Sequence, residues 1–162
     1  IARMGNDVLY SLRKRDLFPN SRFDTGTLDS WRATGFAPMF DLTPNNKAQG
    51  LGGFHIDTRM KSRYPAEIDP KISTTGTLES ASFRIDENTI GYVLAGSSNP
   101  DKIHIALRVA GTELRSAPDG FELRLGEWDV SAYRGEIANI VIRDLDPDQT
   151  KGIAVAGFYY VL

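Results

Sequence analysis

The residues of this chain with the most to offer chemically are its arginines, its aspartates and its two histidines, His55 and His104. Lys102-Ile103-His104-Ile105-Ala106-Leu107-Arg108-Val109 alternates strictly. His104 and Arg108 therefore share one face of a strand, with Ile103, Ile105, Leu107 and Val109 on the other. Ser97, Ser98 and Asn99 form the turn before that strand, Arg115 lies in the segment after it, and Asp144 ends a later one. Guanidinium and carboxylate groups on a strand face hold polar ligands through paired hydrogen bonds. Ser97, His104, Arg108, Arg115 and Asp144 are accordingly the first set of candidate binding residues. His55, with Arg59 and Tyr64 in the long loop region, is a second patch. The bland alternative for each is a solvated strand face with routine charge pairs.

Other chemistries are disfavoured. Hydrolysis by paired carboxylates needs two acids facing each other across a cleft, and most of the acids here stand in turns: Asp86, Glu87, Asp101, Asp119, Asp144, Asp146 and Asp148. No Gly-x-Ser-x-Gly elbow accompanies either histidine. No catalytic residue is assigned, and the chain reads as a non-enzyme. Absence of Cys excludes disulfides and thiolate zinc sites, and two histidines cannot make a three-histidine site. Asp144-Leu145-Asp146-Pro147-Asp148 places carboxylates at alternate positions, like the start of a calcium loop, but lacks that loop's Gly and terminal Glu. It reads as a solvated acidic turn, and no metal ligand is assigned. A net charge of −2 argues against a nucleic-acid partner, which calls for a dense basic surface.

The elements that must position these residues are nearly all strands. Alternating segments run over 31–36, 53–58, 76–85, 89–96, 102–109, 113–116, 121–125, 137–144 and 153–161, separated by Gly, Pro, Asn and Asp turns at roughly 8–12-residue spacing. Residues 36–53 and 59–75, with their prolines, read as loops. That many short strands without intervening helices predicts an all-β, antiparallel β-sandwich of jelly-roll type. At 162 residues the chain fits one such domain over 18–162. Residues 1–17 differ. Met4, Val8, Leu9 and Leu12 recur at helical spacing before Arg13-Lys14-Arg15, which predicts a short N-terminal helix or linker. Three consecutive cations there also fit a segment beside a membrane. The chain opens on Ile1 rather than Met and reads as a piece of a longer protein.

Pro19-Asn20-Ser21-Arg22-Phe23-Asp24-Thr25-Gly26-Thr27-Leu28-Asp29-Ser30-Trp31 resembles the N-x-x-F-E-x-G-x-x-x-x-W opening of galactose-binding-like jelly rolls, a pattern of many carbohydrate-binding modules. Later pieces resemble the levan- and fructoside-binding branch associated with glycoside hydrolases. They are Gly76-Thr77-Leu78-Glu79-Ser80, Ile90-Gly91-Tyr92-Val93-Leu94-Ala95-Gly96-Ser97, Ile105 through Arg115, and Glu127-Trp128-Asp129-Val130-Ser131 with Gly135-Glu136-Ile137-Ala138. The resemblance spans about residues 18–161. Physical reasons accompany the motifs. Trp31 and Trp128 are large enough to seal a sandwich core, Asp129 can cap the turn that follows it, and Gly26 permits a bend at positive φ.

What the resemblance implies is a non-catalytic carbohydrate-binding module. It would bind a glycan or polysaccharide and belong to a larger extracytoplasmic or membrane-bound glycan-handling protein. Arg115 and Asp144 fall where the branch tends to carry Arg and Asp, so that pair is the first choice for sugar contact. Related modules hold a structural calcium through carboxylates. Here Asp24 replaces the usual Glu, and Val155-Ala156-Gly157-Phe158-Tyr159 stands where the branch often has an acid, so no cofactor is assigned and a structural calcium is the alternative. The alternative is the same sandwich used as a structural or protein–protein interaction domain with no sugar site.

Overall fold

In the computed structural model, which describes residues 14–45, 53–63 and 73–162, the alternating segments become strands. The strands are β1 (Lys14–Asp16), β2 (Trp31–Gly35), β3 (Asp41–Pro44), β4 (Phe54–Asp57), β5 (Gly76–Ser80) and β6 (Phe83–Arg84), followed by β7 (Thr89–Gly96), β8 (Ile103–Val109), β9 (Thr112–Ser116), β10 (Gly120–Asp129), β11 (Ile137–Asp144) and β12 (Ile153–Val161). All pairings are antiparallel. The first sheet runs β10-β7-β12-β4-β3, with β1 alongside β12; the second runs β2-β5-β11-β8-β9, with β6 alongside β11. The fold is the expected antiparallel β-sandwich.

Two expectations need correcting. The predicted N-terminal helix falls mostly on residues 1–13, outside the described residues. Its end, Lys14–Asp16, is a strand, registered Lys14↔Val161, Arg15↔Tyr160 and Asp16↔Tyr159. Backbone hydrogen bonding to the end of β12 beyond its pairing with β4 decides this, and helix spacing of side chains does not register it. Residues 41–44, read as loop, form β3 by pairing with β4. Pro44 fits because it ends an edge strand.

The core fills the space between the sheets. Ile103, Ile105, Leu107 and Val109 of β8 meet Ile90 and Leu94 of β7 and Ile153, Val155, Phe158 and Tyr160 of β12. Both indoles flank the Phe158 ring, Trp31 at 6.0 Å and Trp128 at 6.1 Å between centroids. Each finds a partner for its N–H: Trp31 Nε1 donates to the Asn20 carbonyl (3.1 Å) and Trp128 Nε1 to Ser116 Oγ (3.0 Å). Buried aromatics with a satisfied polar handle are large contributors to a core.

The Asn20–Trp31 motif is explained by this packing. Asn20 Nδ2 donates to the carbonyls of Thr27 (2.9 Å) and Asp29 (2.8 Å), and its Oδ1 accepts from Thr25 N–H (3.2 Å). One side chain thus braces the whole turn, whose bend uses Gly26 at φ 70°. Phe23, fully buried, stacks on Trp31 at 4.9 Å. The same segment docks on β12: Phe158 N–H donates to the Ser21 carbonyl (2.9 Å) and Ser21 Oγ to the Phe158 carbonyl (2.8 Å). Gly157, at φ 126°, lets this happen, since a Cβ there would lie 2.6 Å from Arg22 Cα. Asp129 caps its turn as read, accepting from Ser131 N–H (3.0 Å) and Oγ (2.7 Å).

Candidate functional site

Strand alternation and register place the candidate residues in four separate places, one of them between the sheets. His104, Arg108 and Arg115 lie together on the outer face of the second sheet. In register across it, Arg32 pairs with Glu79, Glu79 with Val141, Val141 with Ala106, and Ala106 with Arg115. One row further, Asn139 pairs with Arg108 and Arg108 with Glu113. On the other side, Arg143 pairs with His104. The face is therefore a table of guanidinium groups around Val141 and Ala106, both buried beneath them.

Two glutamates organise it. Arg143 grips Glu113 with both terminal nitrogens (3.0 and 2.6 Å), and Arg115 Nε donates to the same carboxylate (2.8 Å). Glu79 accepts from Arg108 and from Asn139 Nδ2 (2.9 Å), and Arg32 stands 3.5 Å from its other oxygen. Arg108 Nε also donates to Asn139 Oδ1 (3.1 Å). The hydrogen bonds from Arg143, then Arg115, pull Glu113 down to about 2, so it is ionised throughout the physiological range. His104 supports the array from below. Its Nδ1 meets the Pro100 carbonyl (2.8 Å), and Nε2 faces an Arg143 N–H (3.1 Å). An arginine can only donate, so Nε2 is the acceptor and the proton sits on Nδ1. Burial keeps the ring below its ordinary value, with Arg115 and Arg143 acting in the same direction. His104, on the outer face but almost fully covered there, orients Arg143 rather than meeting solvent. A depression of about 420 Å³ opens at the β8–β9 turn beside Arg108, Glu113 and Ile137.

Asp144 is not on this face. Successive side chains of a strand point to opposite sides. Arg143 therefore takes the outer position and Asp144 turns between the sheets, where its side chain is 0% exposed. It does not converge with Arg115. There it accepts from Lys61 Nζ (2.8 Å) and Thr58 Oγ1 (2.7 Å). Lys61, equally buried, spends a second N–H on the Asp146 carbonyl (2.7 Å). Burial pushes the Asp144 carboxyl up, against the pull of Lys61 and Thr58. The acidic run is thus not a solvated turn at its start: Asp144 and Asp146 are buried, while Asp148 is exposed. The same run is the one that resembles the start of a calcium loop. The residues do not fit a divalent cation, because the ammonium of Lys61 already sits against the Asp144 carboxylate and the Asp146 carbonyl. Among the described residues, no three His, Asp or Glu side chains are grouped to hold a metal.

Ser97 lies at the end of β7, bonding Gly152 through its own N–H (3.0 Å) and accepting from Gly152 N–H at Oγ (3.2 Å). Asn99 Nδ2 reaches Asp146 (2.6 Å). Both hold the loop end together. His55 is on the first sheet, whose outer face points away from Arg115. Its Nδ1 meets Asn45 Oδ1 (2.8 Å) and its Nε2 lies 3.5 Å from Asp57. Arg59 grips Asp57 with Nε and one terminal nitrogen (3.0 and 2.9 Å) and crosses to the Phe121 carbonyl on β10 (2.7 Å). Burial raises the Asp57 carboxyl, but the hydrogen bonds from His55 and Arg59 outweigh it and hold Asp57 well below the usual range. Tyr64 lies outside the described residues. Sequence reasoning missed Arg32, Glu79, Glu113, Asn139 and Arg143. The parity of β11 held the signal for two of them, since Asn139 and Arg143 alternate with the apolar Ile140 and Ile142.

No protein-family model and no curated protein matches the sequence. Solved structures do match. A family-61 carbohydrate-binding module in complex with β-1,4-galactotriose superposes with a TM-score of 0.56 at 16% identity, over 90% of this chain and 97% of the module. The C-terminal extracellular domain of Mycobacterium tuberculosis EmbC superposes with a TM-score of 0.50 at 13% identity, over 90% of this chain and 63% of that domain. The chain thus shares the β-sandwich fold of carbohydrate-binding modules and spans under two thirds of the EmbC domain. No helix among the described residues is long and apolar enough to cross a membrane.

Proposed function

We propose that this chain is a non-catalytic carbohydrate-binding module, working as a domain of a larger extracytoplasmic or membrane-bound glycan-handling protein. The observation that carries the proposal is the organised guanidinium face of the second sheet, built on a fold shared with a galactotriose-bound module. Arg115 and Arg108 contact the glycan, Arg143 fixes the geometry through Glu113, and His104 positions Arg143. Paired N–H donors in a rigid fork suit sugar hydroxyl and carboxyl oxygens. Ser97 and Asp144 hold the adjoining corner without touching ligand. The likeness to the levan-binding branch makes levan the first neutral polymer to screen. Residues 1–17 bring the domain close to a membrane.

A glycan-array screen of the purified domain, repeated with Arg115→Ala, tests this. Binding to a defined glycan that Arg115→Ala reduces at least tenfold supports the assignment. Binding to no glycan at millimolar concentration refutes it.

One observation favours a second reading, the protein-interaction domain. Strand β10 is an edge of the first sheet and exposes Phe121 (80%) and Leu125 (57%). An exposed apolar edge strand is a ready surface for another chain. Concentration-independent monomeric sedimentation together with glycan binding dismisses that reading.

A further inference from the structure

The outward-facing strand residues of the second sheet carry Arg32, Arg84, Arg108, Arg115 and Arg143 against only Glu79 and Glu113. With His104 neutral, five arginines against two glutamates leave this face at +3, on a chain whose formal total is −2. The charge is segregated rather than scattered. Each glutamate is shared, Glu79 by Arg32 and Arg108, Glu113 by Arg115 and Arg143. Guanidinium donors therefore outnumber carboxylate acceptors on the face. Arg32 and Arg115, with side chains 76% and 56% exposed, stand at its two sides. They are separated by four strand spacings, roughly 19 Å at about 4.8 Å each. That span matches an extended chain of sugars rather than one ring.

The same strand positions contain no Phe, Tyr or Trp. Neutral sugars are held largely by stacking on planar aromatic rings, and this face offers none. Its recognition chemistry is the bidentate grip of guanidinium on carboxylate, which the Arg143–Glu113 pair already displays. The buried Val141 and Ala106 beneath the arginines exclude water from one side, which strengthens such pairs.

We infer that the outer face of the second sheet docks an acidic glycan bearing carboxylates, a polyuronate, across Arg32, Arg108 and Arg115. This rests on the glycan-binding reading above and narrows it to one class of ligand.

The test is titration calorimetry of the intact chain with a galacturonate oligosaccharide, a neutral galacto-oligosaccharide, a levan oligosaccharide and a single-stranded DNA oligonucleotide, at low and high salt. The variants are Arg32→Gln/Arg115→Gln and, as a control on the opposite sheet, Arg124→Gln. Both paired sites are exposed, so the fold is retained. The expected result is galacturonate binding that weakens at least tenfold in Arg32→Gln/Arg115→Gln and falls with added salt, with Arg124→Gln unchanged. Neutral glycans and the oligonucleotide bind at least tenfold more weakly. Neutral-glycan binding that equals galacturonate binding, or that ignores the arginine substitutions, overturns the inference and leaves the glycan-binding reading standing. Equal binding of the oligonucleotide also overturns it, as a surface for any polyanion. Failure of every glycan removes both.

Discussion

Replacing Lys61 by Met tests whether an internal ammonium holds the corner where β11 ends. Lys61 and Asp144 are both fully buried, 2.8 Å apart, with Thr58 Oγ1 and the Asp146 carbonyl completing the cluster. Methionine keeps the length and apolar stem but leaves a carboxylate with no counter-charge. Removing one partner of a buried pair costs about 3–5 kcal/mol, because the remaining charge keeps its desolvation penalty. In a chain of this size each kcal/mol moves Tm by about 2–4 °C, so the expected loss is about 6–20 °C. The penalty also acquires a pH dependence. Without Lys61, burial raises the folded pKa of Asp144 further above its unfolded value. The folded state then binds more protons than the unfolded state between the two values, and stability falls as pH rises through that window. Lys61→Met is therefore worse at roughly pH 8 than at pH 5. Lys61→Met/Asp144→Leu removes the stranded charge and recovers at least half the loss, since buried pairs replaced by apolar groups are often neutral. Urea denaturation followed by tryptophan fluorescence suits the measurement, because both indoles lie in the core. A Lys61→Met variant within about 1 kcal/mol of the parent at the higher pH refutes the reasoning, judged against the usual cost of a stranded charge. So does a double variant no better than the single one.

Two further outcomes follow from the site and the core. The Glu113 carboxyl, held down by Arg143 and Arg115, titrates near 2 by carbon-detected NMR, and its midpoint climbs in Arg143→Gln. Because its folded pKa lies below the unfolded one, its contribution to stability is present above the unfolded value and lost as pH falls towards 2. A midpoint unmoved by Arg143→Gln sinks the network as drawn. Ser116 Oγ accepts from Trp128 Nε1 (3.0 Å) and meets the Tyr92 hydroxyl (2.7 Å). Ser116→Ala strands the buried indole N–H and costs about 1–3 kcal/mol, read as a lower urea midpoint; an unchanged midpoint shows that water replaces the serine.

The sequence by itself determined where the chain is extended and which way most side chains point. Alternation is a local property, so Thr89–Gly96, Ile137–Asp144 and Ile153–Val161 were legible to the residue, and so were the apolar and polar faces of Ile103–Val109. His104 and Arg108 were placed on one face for the same reason, and the register of β8 with β9 added Arg115 to it. Tertiary structure decided what lies beside what. Backbone hydrogen bonds pair strands without regard to side chains, so nothing local shows that β1 joins β12 or that β11 runs between β5 and β8. That neighbourhood brings Glu79 to Arg108 and Glu113 to Arg143 and converts scattered charges into one face. Asp144 is the sharpest case. Its type and position matched a ligand-binding carboxylate, yet parity turns it inward, where Lys61, 83 residues earlier in the chain, neutralises it. A single charged residue at a strand end reads the same in sequence whether water or a distant ammonium awaits it, and only the packing of the two sheets distinguishes them.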